Sequence, residues 1–347
     1  DEPDVRAIAL LLETVRDGPR FIAAARAARA AGKPVVACKI GRTRVGQEIM
    51  RTHTGALAGP LRTFEAAFES LGIASVRTPA ELLDVAEVMA RAPLPGGEGV
   101  GIVTHSGGAA VMLADRAGEL GLSLPGPSPD LKSRLAPLLQ MGAAGNPVDL
   151  GGIVSRPERY GEAIRLFLGD PAYDLVIPVS TPHPSAHSAG RARELTRISR
   201  GAREPLPNLW LAGELGRAGL EILREEDAPV AENAESLLLA VKGLVRLGVM
   251  KRAESADASS VEAPAPDAGM MKRLRKRRAE GNLNLSEAES KALLGELGIP
   301  VVTGEAAASP IEAARAAARI GYPVVLKAIS ANLPHKSEAG GLRLNLR

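Results

Sequence analysis

The chain has 347 residues, a formal charge of +3, 45% hydrophobic residues and only 2% aromatic residues. That length exceeds what one hydrophobic core supports, so two or three domains are expected. Scarce aromatics argue against the stacking platforms of single-strand nucleic-acid binders, and the small net charge points to no polyanionic partner. The core has to be built from Ala, Val, Leu and Ile, the material of helices packed on parallel sheets.

Short apolar runs alternate with amphipathic Ala/Arg/Glu-rich stretches, the pattern of βαβ units. Arg6 to Glu13 reads as a buried strand, Gly18 to Ala31 as a helix closed by Gly32, and Pro34 to Ile40 as the next strand. The single cysteine, Cys38, lies in that run and reads as a buried, inert thiol, which fits a reducing cytoplasm. A Gly/Thr-rich loop is expected next, then a helix from about Pro60 to Leu71, a strand at Ile73 to Val76 and a helix at Pro79 to Arg91. The breaker cluster Pro93–Gly99 marks a boundary, after which the pattern restarts with a strand at Val100 to Thr104 and a helix at Gly107 to Leu120. Further strands are expected at Tyr173 to Val179 and Leu206 to Leu211, and a helix at about Glu232 to Leu247.

Residues 251–280 read as a linker ending in the basic run Met271–Arg278, which suits a solvated helix face better than a nucleic-acid patch. Ser286 and Glu289 form a capping box for a helix running to Leu297. A turn and strand at Gly298–Val302, a helix at about Pro310 to Ile320 and a strand at Pro323 to Ile329 follow. The predicted fold is α/β. Two flavodoxin-like parallel-sheet domains, 1–95 and 96–250, precede the linker and a third domain at 281–347. No signal peptide or membrane-length apolar run is visible, so a cytoplasmic protein is expected. The chain opens at Asp1 and closes just after the strand-like Gly341–Leu346, and is expected to be an internal piece of a longer protein.

The most informative stretch runs from Gly41-Arg42-Thr43 to Thr52-His53-Thr54-Gly55-Ala56-Leu57-Ala58-Gly59. Following a strand, it lies at the carboxyl edge of a parallel sheet, where glycine N–H groups and threonine hydroxyls can meet an anion. His53 is either a structural hydrogen-bonder or a nucleophile towards phosphorus. Glu13 ends a neighbouring strand and either orients that imidazole or caps a helix. Thr104-His105-Ser106-Gly107-Gly108 is a strand, a turn of small residues and a helix start, which aims free N–H groups at an anion; His105 itself reads as a turn residue. Asn146 to Gly152 reads as a further loop of this kind. His183 and His187 have i,i+4 spacing, but Pro182 and Pro184 flank the first, so no metal site is expected. Lys327 is placed as a phosphate-binding cation or as a salt-bridge partner, and His335 lies in a Gly/Ser/Lys loop suited to moving.

Taken in order, these motifs resemble the acetyl-CoA synthetase (ADP-forming) family of the succinyl-CoA synthetase superfamily. Residues 1–247 resemble its flavodoxin-like ligase region: Thr52–Gly59 looks like the phosphohistidine loop with Thr52 where Ser is usual. Thr104–Gly108 looks like its Thr-Asn-Ser-Gly-Gly element with His105 replacing Asn, and Asn146–Leu150 matches its Asn-Pro-Val-Asp-Leu. Residues 284–347 resemble the first part of its ATP-grasp domain, through Leu326-Lys327 and Pro334–Gly341. The resemblance implies an acid–CoA ligase that converts a carboxylic acid, CoA and ATP to acyl-CoA, ADP and phosphate. In that scheme His53 carries the phosphoryl group and His335 ferries it to the nucleotide. Glu13 orients His53, while Thr54, Gly55, Ser106, Gly107 and Gly108 hold the phosphoryl group and Lys327 the nucleotide. Mg²⁺ accompanies the nucleotide on ligands outside this chain, and the chain forms a homodimer. The family's CoA-binding domain and most of ATP-grasp are not among these residues, so the chain alone is not expected to turn over. Two other readings are a regulatory synthetase-like region of a protein acetyltransferase and a CoA- or nucleotide-binding scaffold without chemistry.

Overall fold

The computed structural model describes residues 2–54, 60–139, 143–151, 157–182, 185–256, 267–281, 285–329 and 340–347. The chain divides into two compact units, residues 1–258 and 259–347.

The first unit begins with β1 (Ile8–Leu12), α1 (Gly18–Ala30), β2 (Val35–Lys39), α2 (Arg44–Thr54), α3 (Leu61–Leu71), β3 (Ala74–Val76) and α4 (Pro79–Arg91). Asp17 caps α1 by accepting from the Arg20 amide, and Thr78 caps α4 by accepting from the Glu81 amide. In each case a proline sits in the first turn, where its missing N–H costs nothing. The three strands are parallel in the order β1-β2-β3.

One expectation fails here. The stretch after β2 is not all loop: residues 44–54 form α2, with the Gly46 amide donating to Thr43 Oγ1 at 3.2 Å and Met50 buried. Gly46, Thr52 and Thr54 are weak helix formers and hid this helix from propensity, whereas tertiary burial of Met50 favours it.

The unit continues with β4 (Val100–Thr104), α5 (Gly107–Glu119), α6 (Pro129–Leu135), β5 (Val148–Asp149), α7 (Pro157–Leu168), β6 (Leu175–Ser180) and α8 (Ser185–Gly201). It ends with β7 (Asn208–Trp210), α9 (Arg217–Glu225), β8 (Val230–Ala231) and α10 (Ala234–Ala256). All five strands are parallel in the order β5-β4-β6-β7-β8, which is the flavodoxin order 2-1-3-4-5. Helix α10 runs to Ala256, into the segment 251–280 expected to be linker; residues 257–266 lie outside the described residues, and Ala268–Ala279 forms a helix rather than linker.

Alternation along β2 decides the layering. Val36 and Cys38 face a core shared with α4 (Val85, Val88, Met89), α10 (Leu237, Val241, Leu244) and the inner faces of β4 and β6 (Ile102, Ile177). Val35 and Ala37 face the other way, onto Ala25, Phe68 and Leu71 of α1 and α3. Thus α4 and α10 fill the space between the two sheets. Gly243 permits the close approach, because a Cβ there would lie 2.7 Å from Met89 Cε and 3.2 Å from Ala74 Cβ. The far face of the second sheet packs Val103, Val176 and Trp210 against Tyr160, Ile164, Phe167, Leu195 and Leu223.

In the second unit α11 (Ala268–Ala279), α12 (Glu287–Glu296) and α13 (Pro310–Ile320) precede an antiparallel pair, β9 (Val324–Lys327) and β10 (Leu342–Leu346). Ser286 and Glu289 form the expected capping box of α12. The basic run occupies α11, where Arg273 pairs with Glu296 at 2.6 Å and Arg277 with Glu289 at 2.6 Å. The strand expected at 299–302 does not form, and Val301 and Val302 are exposed. Among the described residues no helix of either unit is long and apolar enough to cross a membrane.

Asp227 ties three parts of the first unit together by accepting from Arg6, ahead of β1, and from Arg91 Nε at 2.8 Å, at the end of α4. The hydrogen bond from Arg6, then that from Arg91, holds its carboxyl at about 2, below the ordinary 3.8. A depressed folded-state value stabilises above the ordinary one and loses that stabilisation as pH falls through the depressed one. Because the carboxylate is 53% exposed, the gain is expected to stay below ~1 kcal/mol. Thermal unfolding of wild type and Asp227→Asn is expected to show a gap that closes as pH falls from 3.8 to about 2. A gap that persists at pH 2 would mean the carboxylate's charge is not what stabilises.

Candidate functional site

Parallel strands send their following loops to one edge, and of the candidate residues Glu13 and the Ser106–Gly108 turn lie at the carboxyl edges of the first unit's two sheets. At the first sheet, Leu12 pairs in register with Lys39, so half-buried Glu13 follows β1 beside the end of β2. The Lys39 side chain is buried on the α3 side, donating to the Ile40 carbonyl with its ammonium 5.0 Å from the Phe64 ring centre. Burial pushes the Lys39 ammonium below its ordinary value, as does Arg42, while Glu13 acts the other way. Gly41, with φ 67°, turns the chain out of β2 towards α2. His53 and Thr54 are the last two residues of α2, whereas Gly55 lies outside the described residues.

At the second sheet, β4 passes directly into α5. Thr104 is buried and its Oγ1 accepts from the Ser106 amide at 3.2 Å; Ser106 Oγ in turn caps α5 by accepting from the Ala109 amide at 3.3 Å. Gly107 and Gly108 form the exposed first turn, whose N–H groups no helix carbonyl can reach. A Cβ at Gly107 would lie 3.2 Å from Asp149 Oδ2, while one at Gly108 would meet nothing within 4 Å.

The Asn146–Gly152 stretch differs from the anion loop that its sequence suggested. Asn146 Nδ2 donates to the Val100 and Pro125 carbonyls at 2.7 and 3.0 Å, and its Oδ1 accepts from the Ile102 amide at 2.9 Å. These bonds stitch the chain to the edge of β4 and start β5. Asp149 then lies beside α5, its Oδ1 accepting from the Gly151 amide at 2.9 Å. Residues 152–156, which include Gly152, lie outside the described residues.

His105 makes more contacts than a plain turn residue. Its Nε2 lies 2.9 Å from Arg191 Nη1 and 3.3 Å from the Thr181 amide, and its Nδ1 lies 3.2 Å from Thr181 Oγ1. Arg191, on α8, is 1% exposed and stands 5.3 Å from the Tyr160 ring centre. Burial lowers the Arg191 value and raises that of Tyr160. Sequence reasoning missed Thr181, Arg191 and Tyr160, because only the fold places three such distant residues at one sheet edge.

In the second unit Lys327 ends β9 and donates to Glu287 at 2.8 Å, so its ammonium is held as an ion pair. The hydrogen bond from Lys327, then that from Lys291, holds the Glu287 carboxyl at about 2. His335 lies outside the described residues, as does His183. Among the described residues no group of three or more His, Cys, Asp and Glu side chains is arranged to hold a metal ion.

The structure therefore joins Ser106, Gly107 and Gly108 at one open helix start and places Glu13 at the edge of the other sheet. Three family models match along the chain: a succinyl-CoA ligase-like flavodoxin domain at residues 1–89, a ligase-CoA domain at 100–181 and an ATP-grasp domain at 276–347. These three define the class of protein. The chain belongs to the ADP-forming acyl-CoA synthetase family. It is 34% identical over 257 residues to the alpha subunit of an ADP-forming acetate–CoA ligase II of Pyrococcus furiosus, a match covering 71% of this chain and 54% of that one. It is 30% identical over 356 residues to a trans-feruloyl-CoA synthase from an unknown prokaryotic organism, covering 100% of this chain and 48% of that one. The fold is similar to that of an acetyl-coenzyme A synthetase of Candidatus Korarchaeum cryptofilum in complex with phosphate and ADP. There the TM-score is 0.64 and the identity 24%, over 75% of this chain and 56% of that one. The chain thus spans about half the length of the curated relatives it matches.

The first turn of α5 separates space from strain. Gly108→Ala is expected to leave thermal stability unchanged or raise it by up to ~1 kcal/mol, since the methyl meets nothing and glycine is a poor helix former. Gly107→Ala, crowding Asp149, is expected to be less stable than Gly108→Ala in the same denaturation series. Equal stabilities would show that Asp149 yields freely.

Proposed function

We propose that this chain supplies the phosphoryl-handling part of an acid–CoA ligase that converts a carboxylic acid, CoA and ATP to acyl-CoA, ADP and phosphate. The observation that carries the reading is the open first turn of α5 at the carboxyl edge of a flavodoxin-order sheet, within a chain that matches all three domain models. Free N–H groups and the positive end of a helix dipole suit a phosphoryl group.

In the proposed sequence, the terminal phosphoryl group of ATP passes to an imidazole nitrogen, with ADP leaving. His335 takes it first and hands it to His53. The substrate carboxylate then attacks phosphorus and frees His53, giving an acyl phosphate. The sulfur of CoA attacks the acyl carbon, and inorganic phosphate leaves. Glu13 holds the His53 imidazole in its attacking tautomer, and Ser106, Gly107 and Gly108, with Thr54 and Gly55, steady the phosphorylated ring. Lys327 exchanges Glu287 for nucleotide phosphate. Transfer of this kind depends on positioning and charge stabilisation rather than on covalent help from further groups. Mg²⁺ would accompany the nucleotide, but the described residues offer no carboxylate cluster for it, and no step here runs through the ion. A cytoplasmic site and a homodimer belong to the same proposal. The acyl group is a point on which the relatives themselves differ, since their names include acetate and feruloyl.

The test uses the full-length protein that carries this chain. With γ-³²P-ATP it is expected to take up acid-labile, base-stable label that CoA plus a carboxylic acid discharges. His53→Ala is expected to lose acyl-CoA synthesis altogether, and Gly108→Ala to lose ~10- to 100-fold in turnover while keeping its stability. Absence of label with ATP binding intact would sink the ligase reading and leave a regulatory or scaffold role.

A further inference from the structure

His105 stands between the last residue of β4 and the N-cap of α5, at the switch point between the neighbouring strands β4 and β6. Ligands of such sheets bind in the crevice at that point. Two groups that can only donate face its Nε2: Arg191 Nη1 at 2.9 Å and the Thr181 amide at 3.3 Å. The Nε2 lone pair must accept from them, so the ring proton sits on Nδ1 and donates to Thr181 Oγ1 at 3.2 Å. An imidazolium would oppose N–H to N–H beside a buried guanidinium.

The contacts continue below the ring. The Arg191 guanidinium stacks over Tyr160, whose hydroxyl lies 3.2 Å from the Val103 carbonyl of β4 and 3.0 Å from the Val179 carbonyl of β6. One set of contacts thereby joins β4, β6, α7 and α8 immediately beneath the open turn of α5.

We propose that His105 is a positioning residue: a neutral, Nδ1-protonated imidazole that locks the β4–α5 turn to the end of β6 and to Arg191, and so fixes where the Ser106–Gly108 amides point. The proposal rests on the reading of that turn as the phosphoryl-steadying element. His105 does not exchange a proton with substrate. It sets the direction of the donors that meet the phosphoryl group, and donors misplaced by about 1 Å cost ~100-fold in such reactions.

Two measurements on the full-length protein test this. In a long-range ¹H–¹⁵N spectrum of ¹⁵N-histidine-labelled protein at neutral pH, the His105 signals, assigned by their loss in His105→Gln, are expected to show Nδ1 protonated and Nε2 bare. An imidazolium or Nε2–H pattern would overturn the proposal. In acyl-CoA synthesis, His105→Leu is expected to lower kcat ~10- to 100-fold with the nucleotide KM within about threefold of wild type. His105→Gln, whose Oε1 can accept at the Nε2 position, is expected to recover most of that loss at matched thermal stability. A Leu variant with full kcat, or a Gln variant as slow as Leu at equal stability, would also overturn it. If wild type makes no acyl-CoA and takes up no label, the ligase reading fails on its own while the tautomer measurement still decides the state of His105.

Discussion

A parallel strand buried on both faces has only its ends left to meet ligands, and the first unit follows from that constraint. β2 and β6 are buried along their whole lengths, one side chain in two committed to each face. Neither of these strands leaves an exposed face on which polar machinery could be built, and candidate residues lie in the turns that follow the strands. Glu13, Gly41, Ser106, Asp149 and Thr181 all lie at or just beyond strand carboxyl ends. The five-stranded sheet adds a crevice, because β5 and β6 diverge from β4 on opposite sides. Backbone hydrogen bonds inside the sheet are satisfied by register, whereas the first turn of α5 leaves amides that no helix carbonyl reaches.

The two sheets are not independent supports for their turns. Helices α4 and α10 belong to both, since Val85 and Val241 sit in one core with Cys38 on one side and Ile177 on the other. Movement of one sheet against the other has to repack that layer, and interiors of this density resist partial adjustment. Gly243 makes the constraint tighter, because α10 can approach Met89 and Ala74 only without a side chain there. The edge carrying Glu13 and the edge carrying Ser106 are therefore held at a fixed spacing by apolar packing, with Asp227 adding an electrostatic tie at the other end of α4.

Much of this was legible in the sequence where the signal is local. Pro19 and Pro79 behind Asp17 and Thr78, and Ser286 with Glu289, are short-range caps, and the helices start where those residues say. The apolar runs around Val36, Ile102 and Ile177 gave the long parallel strands for the same reason. What escaped was determined at a distance. Helix α2 is carried by Met50 finding a buried place rather than by its propensities. The two-residue strands β5 and β8 exist because neighbours supply partners, with Asn146 reaching back to Val100 and Ile102. His105 looked like a turn residue because its partners Thr181 and Arg191 are 76 and 86 positions away. Lys327 allowed two readings, and Glu287, 40 positions earlier, favours the salt bridge in this state of the chain.

The turn at Gly107 also has a direction built into it. Asp149 Oδ2 lies close enough that a single methyl on Gly107 would press on it, so a carboxylate already stands on one flank of the exposed amides. There it offsets part of the positive end of the helix dipole. A phosphoryl group brought to this turn is repelled from the Gly107 flank and drawn to the Gly108 flank, where space is open. The Asp149 side chain is itself held by the Gly151 amide and cannot swing aside without losing that bond. The Gly108 side is therefore the more open approach for an anion. In the proposed reaction, where a phosphoryl group is handed between two partners, restricting the approach matters as well as attracting the charge.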